Sequence, residues 1–191
     1  EPTLPPTAAP SSLSAGLDLE TGWTVTFPDL HRSAQLDHLH SWADDAATRF
    51  YSGRAIYENK FTFSTQTGKK TYLDFGAGTP NPQTDKHSRF FAGLDSPIGE
   101  AAQVYLNDQF AGSVWRPPYR VDVTHLLRKG ENDLRVVVYN SALNEMAGRA
   151  LPDYRLLNSR YGVRFVPQDI EDIKPLPSGL LGKVQLLWEA P

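Results

Sequence analysis

Apolar and polar residues alternate in several short stretches of this chain, as they do in β-strands that bury one face. The pattern predicts strands at residues 23–27, 50–63, 71–75, 104–106, 110–115, 121–124, 134–139 and 179–188. Glycine, proline and small polar residues separate these stretches, as expected of turns. Many short strands with turns between them favour an all-β antiparallel sandwich or jelly roll.

The stretch 104–140 gives the clearest local prediction. Asn107 and Asp108 are small polar residues between two alternating runs, which is typical of a tight β-hairpin. Pro117 and Pro118 then exclude a helix, because each proline fixes its own φ and biases the preceding residue away from the α region. We therefore expect a hairpin, an extended segment and two further strands.

Four other segments have weaker patterns. Residues 1–21 are rich in proline, serine and threonine, so we expect a flexible linker and a folded domain at 22–189. Residues 30–47 fit either a helix or a loop with one aromatic anchor, Trp42. Residues 76–101 predict a long loop of the kind that is functional or disordered. Residues 141–177 have no convincing period.

One consequence concerns the outer faces of the predicted strands. The apolar residues expected there are Tyr105, Val137, Tyr139 and Leu187. This is more apolar surface than a sheet face open to water usually carries, so we expect a cover. The segment 141–177 is one candidate, and a neighbouring domain is the other.

Composition narrows the class of protein. The 191 residues suit one domain, and a net charge of −3 with a pI near 5.9 gives no basic footprint for nucleic acid or an anionic membrane. The chain has no cysteine and no apolar run of about 20 residues. Because the first residue is Glu1, we expect a piece of a longer protein.

Three ordered stretches carry a family resemblance: FYSGRAIYENKF at 50–61, VYLNDQFAGSVWRPPYRVDVTHLLRKGENDLRVVVYN at 104–140, and PSGLLGKVQL at 177–186. They resemble the sugar-binding domain of glycoside hydrolase family 2, a galactose-binding-like jelly roll. The version in family 106-like α-L-rhamnosidases is the more similar. The likeness spans nearly all of 22–189, with departures at the long insertion 76–101 and at Asp108, where relatives usually have glycine.

This resemblance implies a noncatalytic module, because such enzymes hold their catalytic acids in a large separate domain. We therefore expect a carbohydrate-associated domain that binds glycan or supports a catalytic domain in the same longer chain. A polysaccharide-degrading parent implies an extracellular or periplasmic location. The resemblance implies no required cofactor, although galactose-binding-like folds often carry a structural calcium. A purely structural interaction domain is the alternative, and an independent glycosidase is the least favoured.

Sugar binding needs aromatic faces for pyranose C–H surfaces and polar groups for hydroxyls. The candidates are Trp115, Arg116, Tyr119 and Arg120 after the hairpin, Asn140 and Asn144 nearby, Phe90 and Phe91 in the long loop, and Trp42 with Arg54. The competing interpretation is structural: Trp115 and Tyr119 pack the two prolines, and the phenylalanines anchor their loop.

Other chemistries have less support. Glycosidases need two carboxylates across a cleft, but Asp44, Asp45, Asp169, Glu171 and Asp172 read as solvated loop charges, so we predict no catalytic residue. No G-x-S-x-G motif is present. The pair His38 and His40, with Asp37, fits either a metal site or solvated side chains.

Overall fold

A computed structural model describes residues 13–64, 70–80, 93–149, 153–162 and 173–189. Its strands are β1 (Leu13–Asp18), β2 (Trp23–Phe27), β3 (Arg32–Leu36), β4 (Arg54–Phe63), β5 (Thr71–Asp74), β6 (Thr79–Pro80), β7 (Leu94–Asp95), β8 (Ala101–Leu106), β9 (Gln109–Val114), β10 (Arg120–Asp122), β11 (Gly130–Tyr139) and β12 (Gln185–Glu189). The described helices are α1 (Leu143–Gly148), α2 (Arg155–Tyr161) and a 3-10 turn at Pro28–Leu30. None of them is long and apolar enough to cross a membrane.

Two antiparallel sheets contain most of the strands in the described part of the chain. The larger has six strands in the order β3-β2-β4-β11-β8-β9, and the smaller has four in the order β1-β12-β5-β10. Strands β6 and β7 pair separately. The all-β antiparallel sandwich or jelly roll predicted from the sequence is thus confirmed.

The core lies between the inner faces of the two sheets. Strand β4 alternates as predicted, with Ala55, Tyr57, Phe61 and Phe63 buried on one face. Leu186 of the smaller sheet belongs to the same hydrophobic cluster. Burial of side chains from both sheets supplies the main driving force that holds them together.

Two buried amides fix the start of β11 to the predicted hairpin. The Asn107 side chain donates to Asn132 Oδ1 at 2.9 Å, and its own Oδ1 accepts from the Asp133 N–H at 3.1 Å. The Asn132 amide donates to the carbonyls of Arg128 and Gly130 at 2.8 and 3.0 Å. Asn132 is fully buried, and these bonds satisfy its polar atoms.

Three segments differ from the sequence predictions. Leu13–Asp18 forms strand β1 on β12, so the sandwich begins before Gly22 and the predicted linker boundary is corrected. Arg32–Leu36 forms an edge strand on β2, where we expected a helix or a loop. Its pattern is weak because most of its residues are exposed. Helices α1 and α2 lie in 141–177, which has no clear period because both helices are short.

The Asn132 network predicts a specific loss of stability. Asn132→Ala removes the bonds that this fully buried amide makes with the Asn107 side chain and the Arg128 backbone, so we expect the free energy of unfolding to fall by about 3 kcal/mol. Glu131→Ala is the matched control, since its exposed ion pair with Lys60 contributes little. Chemical denaturation of both variants tests this, and equal losses would contradict it.

The conformation of the hairpin turn predicts that a glycine substitution will raise the folding stability. Asn107 and Asp108 have φ of 52° and 64°, the left-handed region that a type I′ turn requires at both positions. Asp108→Gly relieves the backbone cost of this conformation, and we expect about 0.5 kcal/mol of added stability after the entropy of the unfolded glycine is deducted. Thermal melting should show a higher Tm for Asp108→Gly and a lower one for Asp108→Ala. A lower Tm for the glycine variant would refute the turn argument.

Candidate functional site

The hairpin surface, defined as Trp115, Arg116 and Arg120 with the Pro117–Pro118 segment, is the first candidate. Trp115 follows β9 and is 64% exposed. The Arg116 guanidinium carbon lies 5.2 Å from the centroid of the indole, which is a cation–π distance. An exposed indole beside an arginine combines the apolar face and the hydrogen-bond donors that sugar binding needs.

An open cleft of about 480 Å³ adjoins this segment of the chain and is lined by Asp74, Gly76, Pro117, Pro118, Tyr119 and Arg120. Arg120 lies over the ring of Tyr72, with 5.3 Å between its guanidinium carbon and the ring centroid. Tyr119 is only 5% exposed and belongs to the core. The expected exposure of the Tyr119 ring as a stacking face is therefore corrected, whereas Trp115 does present its ring.

The edge cleft lies between strand β3 and the loop 40–48, with a volume of about 310 Å³. Its lining includes Phe27, Arg32, Leu36, His40, Trp42 and Tyr57. Apolar walls with a few polar groups are typical of small-molecule sites, whose volumes start at about 300 Å³. Sequence reasoning singled out Trp42 but missed Arg32, because β3 was not predicted and its alternation could not be used.

Ser178 holds the loop 40–48 in place. The Trp42 backbone N–H donates to the Ser178 carbonyl at 3.0 Å, and the Ser178 backbone N–H donates to Ser41 Oγ at the same distance. Gly179 follows with φ of +112°, and a Cβ there would lie 2.5 Å from the Tyr57 hydroxyl oxygen. Only glycine therefore allows this close approach of the backbone to the cleft wall.

Trp42 packs against two aromatic rings in edge-on contacts. Its centroid lies 5.5 Å from that of Phe27 and 6.0 Å from that of Tyr51. The Tyr51 hydroxyl lies 2.9 Å from an Asp29 carboxylate oxygen. Burial is the main cause and this contact the second cause that together raise the pKa of Tyr51 to about 12. Arg54 donates its backbone N–H to the same hydroxyl, but its exposed side chain does not line the edge cleft.

The amides of Asn140 and Asn144 have internal partners. Asn140 donates to the Tyr51 carbonyl at 2.9 Å and to Ser178 Oγ at 3.2 Å, and it accepts from the Gly53 N–H. Asn144 donates to the Leu176 carbonyl and to the same serine. Both N–H donors of each amide are occupied, so the expectation that they hold sugar hydroxyls is corrected to a structural role.

Several predicted groups lie elsewhere. Phe90 and Phe91, and the acidic residues 169–172, lie outside the described residues. The rings of His38 and His40 are 5.3 Å apart, but His40 bonds to the His38 carbonyl and to Asp45. Across the described part of the chain, no three histidine or acidic side chains are grouped to hold a metal ion.

The outer face of the six-stranded sheet carries exposed aromatic residues. Phe110 is 56% exposed and contacts Tyr105, with ring centroids 5.4 Å apart. Arg135 stacks on Tyr105 at 4.6 Å, and the Tyr139 hydroxyl bonds to Gln103 at 3.1 Å. A depression of about 500 Å³ on this sheet is lined mainly by charged and polar side chains, with no aromatic wall. This face resembles a docking surface more than a sugar site.

The known proteins to which this chain is similar include glycosidases. No protein-family model matches the chain. A rhamnosidase from Novosphingobium sp. PP1Y is similar over 96% of this chain, with a TM-score of 0.68 and 26% identity. A β-D-glucuronidase from Dictyoglomus thermophilum shares the fold over 98% of the chain, with a TM-score of 0.56 and 14% identity. A provisionally named beta-glucuronidase of Formosa agariphila is 28% identical over 193 residues.

Each match includes most of this chain but only a small share of the relative. The match to the Formosa protein includes 86% of this chain but 15% of the relative, and the rhamnosidase match includes 16% of that enzyme. For the D. thermophilum enzyme the share is 30%. The chain is therefore similar to a domain-sized part of larger glycoside hydrolases.

His40, at the rim of the edge cleft, predicts that part of the folding stability depends on pH. The His38 carbonyl bonded to Nδ1 raises the pKa of His40, partial burial opposes this, and Asp45, 3.2 Å from Nε2, raises it further. A raised folded pKa means that this stabilisation is complete below the unfolded value of about 6.5 and is lost as pH rises through the folded pKa. We expect NMR titration to give a His40 midpoint above about 6.5, lowered in Asp45→Asn but not in Asp108→Asn. An unchanged midpoint in Asp45→Asn would disprove the coupling.

Proposed function

We propose that this chain is a noncatalytic, carbohydrate-associated module of a longer glycoside hydrolase. The observation that carries the proposal is the unequal coverage: nearly the whole chain matches 15–16% of the Formosa and Novosphingobium proteins. A segment of that size is a domain, and fold alone does not assign it chemistry, so the module's own surface must supply its role.

The hairpin surface supports binding of glycan. A pyranose can lay its C–H face on the exposed Trp115 ring, which is the contact that aromatic sugar sites use. Arg116, stacked on the indole, and Arg120 on the nearby strand offer N–H donors to ring hydroxyls. Trp115 is exposed without a role in the core, which distinguishes it from the buried Tyr119 and Trp42.

Support of a catalytic domain is the second candidate role. Phe110 and Tyr139 leave apolar surface on the outer face of the large sheet, and patches of this kind are typical of contacts between proteins or domains. The described bonds of helix α1 to the rest of the chain lie elsewhere, since the Glu145 N–H donates to the Ser52 hydroxyl two residues before β4 begins, and Asn144 donates to the Leu176 carbonyl. In this alternative the module has no affinity for sugar.

Glycan titration separates the two roles. The chain is titrated by calorimetry with monosaccharides and with plant and bacterial polysaccharides, including rhamnose- and galactose-containing ones, with and without calcium. We expect saturable binding that weakens about tenfold in Trp115→Ala, because the stacking face is lost.

Phe110→Ala is the matched control, since Phe110 is also an exposed aromatic of the same hairpin but lies on the outer sheet face. It should bind like the parent chain, and circular dichroism should show both variants folded. Absence of binding across the panel would favour the supporting role. Equal losses in the two variants would remove Trp115 as the site.

A further inference from the structure

The edge cleft contains a buried donor without an acceptor. Trp42 is 2% exposed, and its indole N–H has no hydrogen-bond partner in the described part of the chain. A buried N–H without an acceptor destabilises the folded state, so its presence in a protein needs a physical explanation. The backbone of Trp42 is well bonded, since its carbonyl accepts from the Thr48 hydroxyl at 2.7 Å. The indole N–H is therefore the polar atom of Trp42 that lacks a partner.

Arg32 is the second donor. It lies opposite Phe27 in the β2–β3 ladder, and directly opposed residues of antiparallel strands share a face. Phe27 is buried and contacts Trp42, so Arg32 belongs to the cleft side of the sheet. The described residues provide no ion pair or side-chain hydrogen bond for Arg32.

The acidic group of the cleft is already engaged. Asp45 lies 3.2 Å from His40 Nε2, and His40 Nδ1 bonds to the His38 carbonyl. The groups with spare capacity are thus donors, the Arg32 guanidinium and the Trp42 N–H. Guanidinium pairs with carboxylates in a bidentate geometry that favours anions over neutral hydroxyls.

We propose that the edge cleft binds an acidic sugar residue, a hexuronate, whose carboxylate pairs with Arg32 and whose oxygen accepts from the Trp42 indole N–H. The inference rests on the proposed association with carbohydrate and specifies a ligand class for a second site. Ala34 and Leu36, on the same side of β3 as Arg32, supply an apolar wall for the C–H face of the ring.

The test uses two probes that differ in one group. Methyl β-D-glucuronide carries a carboxylate where methyl β-D-glucoside carries a hydroxymethyl group. We expect the full chain to bind the glucuronide at least about tenfold more tightly in calorimetry, since a charge-assisted pair is added. Equal affinity for the two probes, or no binding of the glucuronide, would overturn the proposal.

Variants locate the contact. Arg32→Gln should weaken glucuronide binding about tenfold and leave the glucoside almost unchanged, whereas Arg128→Gln, an exposed arginine outside the cleft, should change neither. Trp42→Phe keeps an aromatic ring, removes the N–H and should weaken binding several-fold, with thermal melting as the check of folding. If Trp42→Phe is unstable, the arginine pair alone decides the result.

The failures are distinguishable. Unchanged glucuronide binding in Arg32→Gln would reject the edge cleft and leave Arg32 as an inward charge that protects an exposed edge strand. Glycan binding that depends on Trp115 but not on Arg32 would keep the proposed function and remove only this site. Glucuronide binding lost in both arginine variants would indicate a nonspecific charge effect and also reject it.

Discussion

Strand β11 is the element on which the rest of the sandwich depends. It pairs with β4 along all ten of its residues and with β8 along six, so it forms the centre of the larger sheet. A side-chain amide fixes each end: the buried Asn132 at the start bonds to the hairpin, and the half-buried Asn140 just past the end bonds to Tyr51 and Ser178. Such networks carry a high cost if one partner is missing, so they specify one register.

The network at the end of β11 also positions the candidate chemistry. Ser178 accepts from Asn140 and Asn144 and, through its backbone, holds the segment that carries Trp42. The edge cleft is therefore attached to the central strand of the larger sheet by hydrogen bonds between buried and partly buried groups. Binding sites gain from such support because little conformational entropy is lost when a ligand enters a preformed wall.

How much the sequence could predict depends on burial. Strands with one buried face, such as β2 and β4, alternate strictly and were predicted, because burial imposes the period of two. Strands β1 and β3 lie at sheet edges and escaped prediction, and in β3 the exposure of most residues on both faces removes the pattern. Among the site residues, the sequence pattern did not distinguish Trp115 from Tyr119 as the ring that would stack on a sugar. Their opposite exposure arises from long-range packing, which local sequence does not encode.

The two candidate surfaces lie at opposite edges of the six-stranded sheet. Trp115 follows β9 at one edge, and the edge cleft adjoins β3 at the other. At an edge, a side chain on the inner face can still reach water, so a site can form there without a cavity in the core. A charged residue such as Arg32 is tolerated on the inner face for the same reason. A sandwich of this type can therefore carry two binding surfaces while its central strands keep only packing residues.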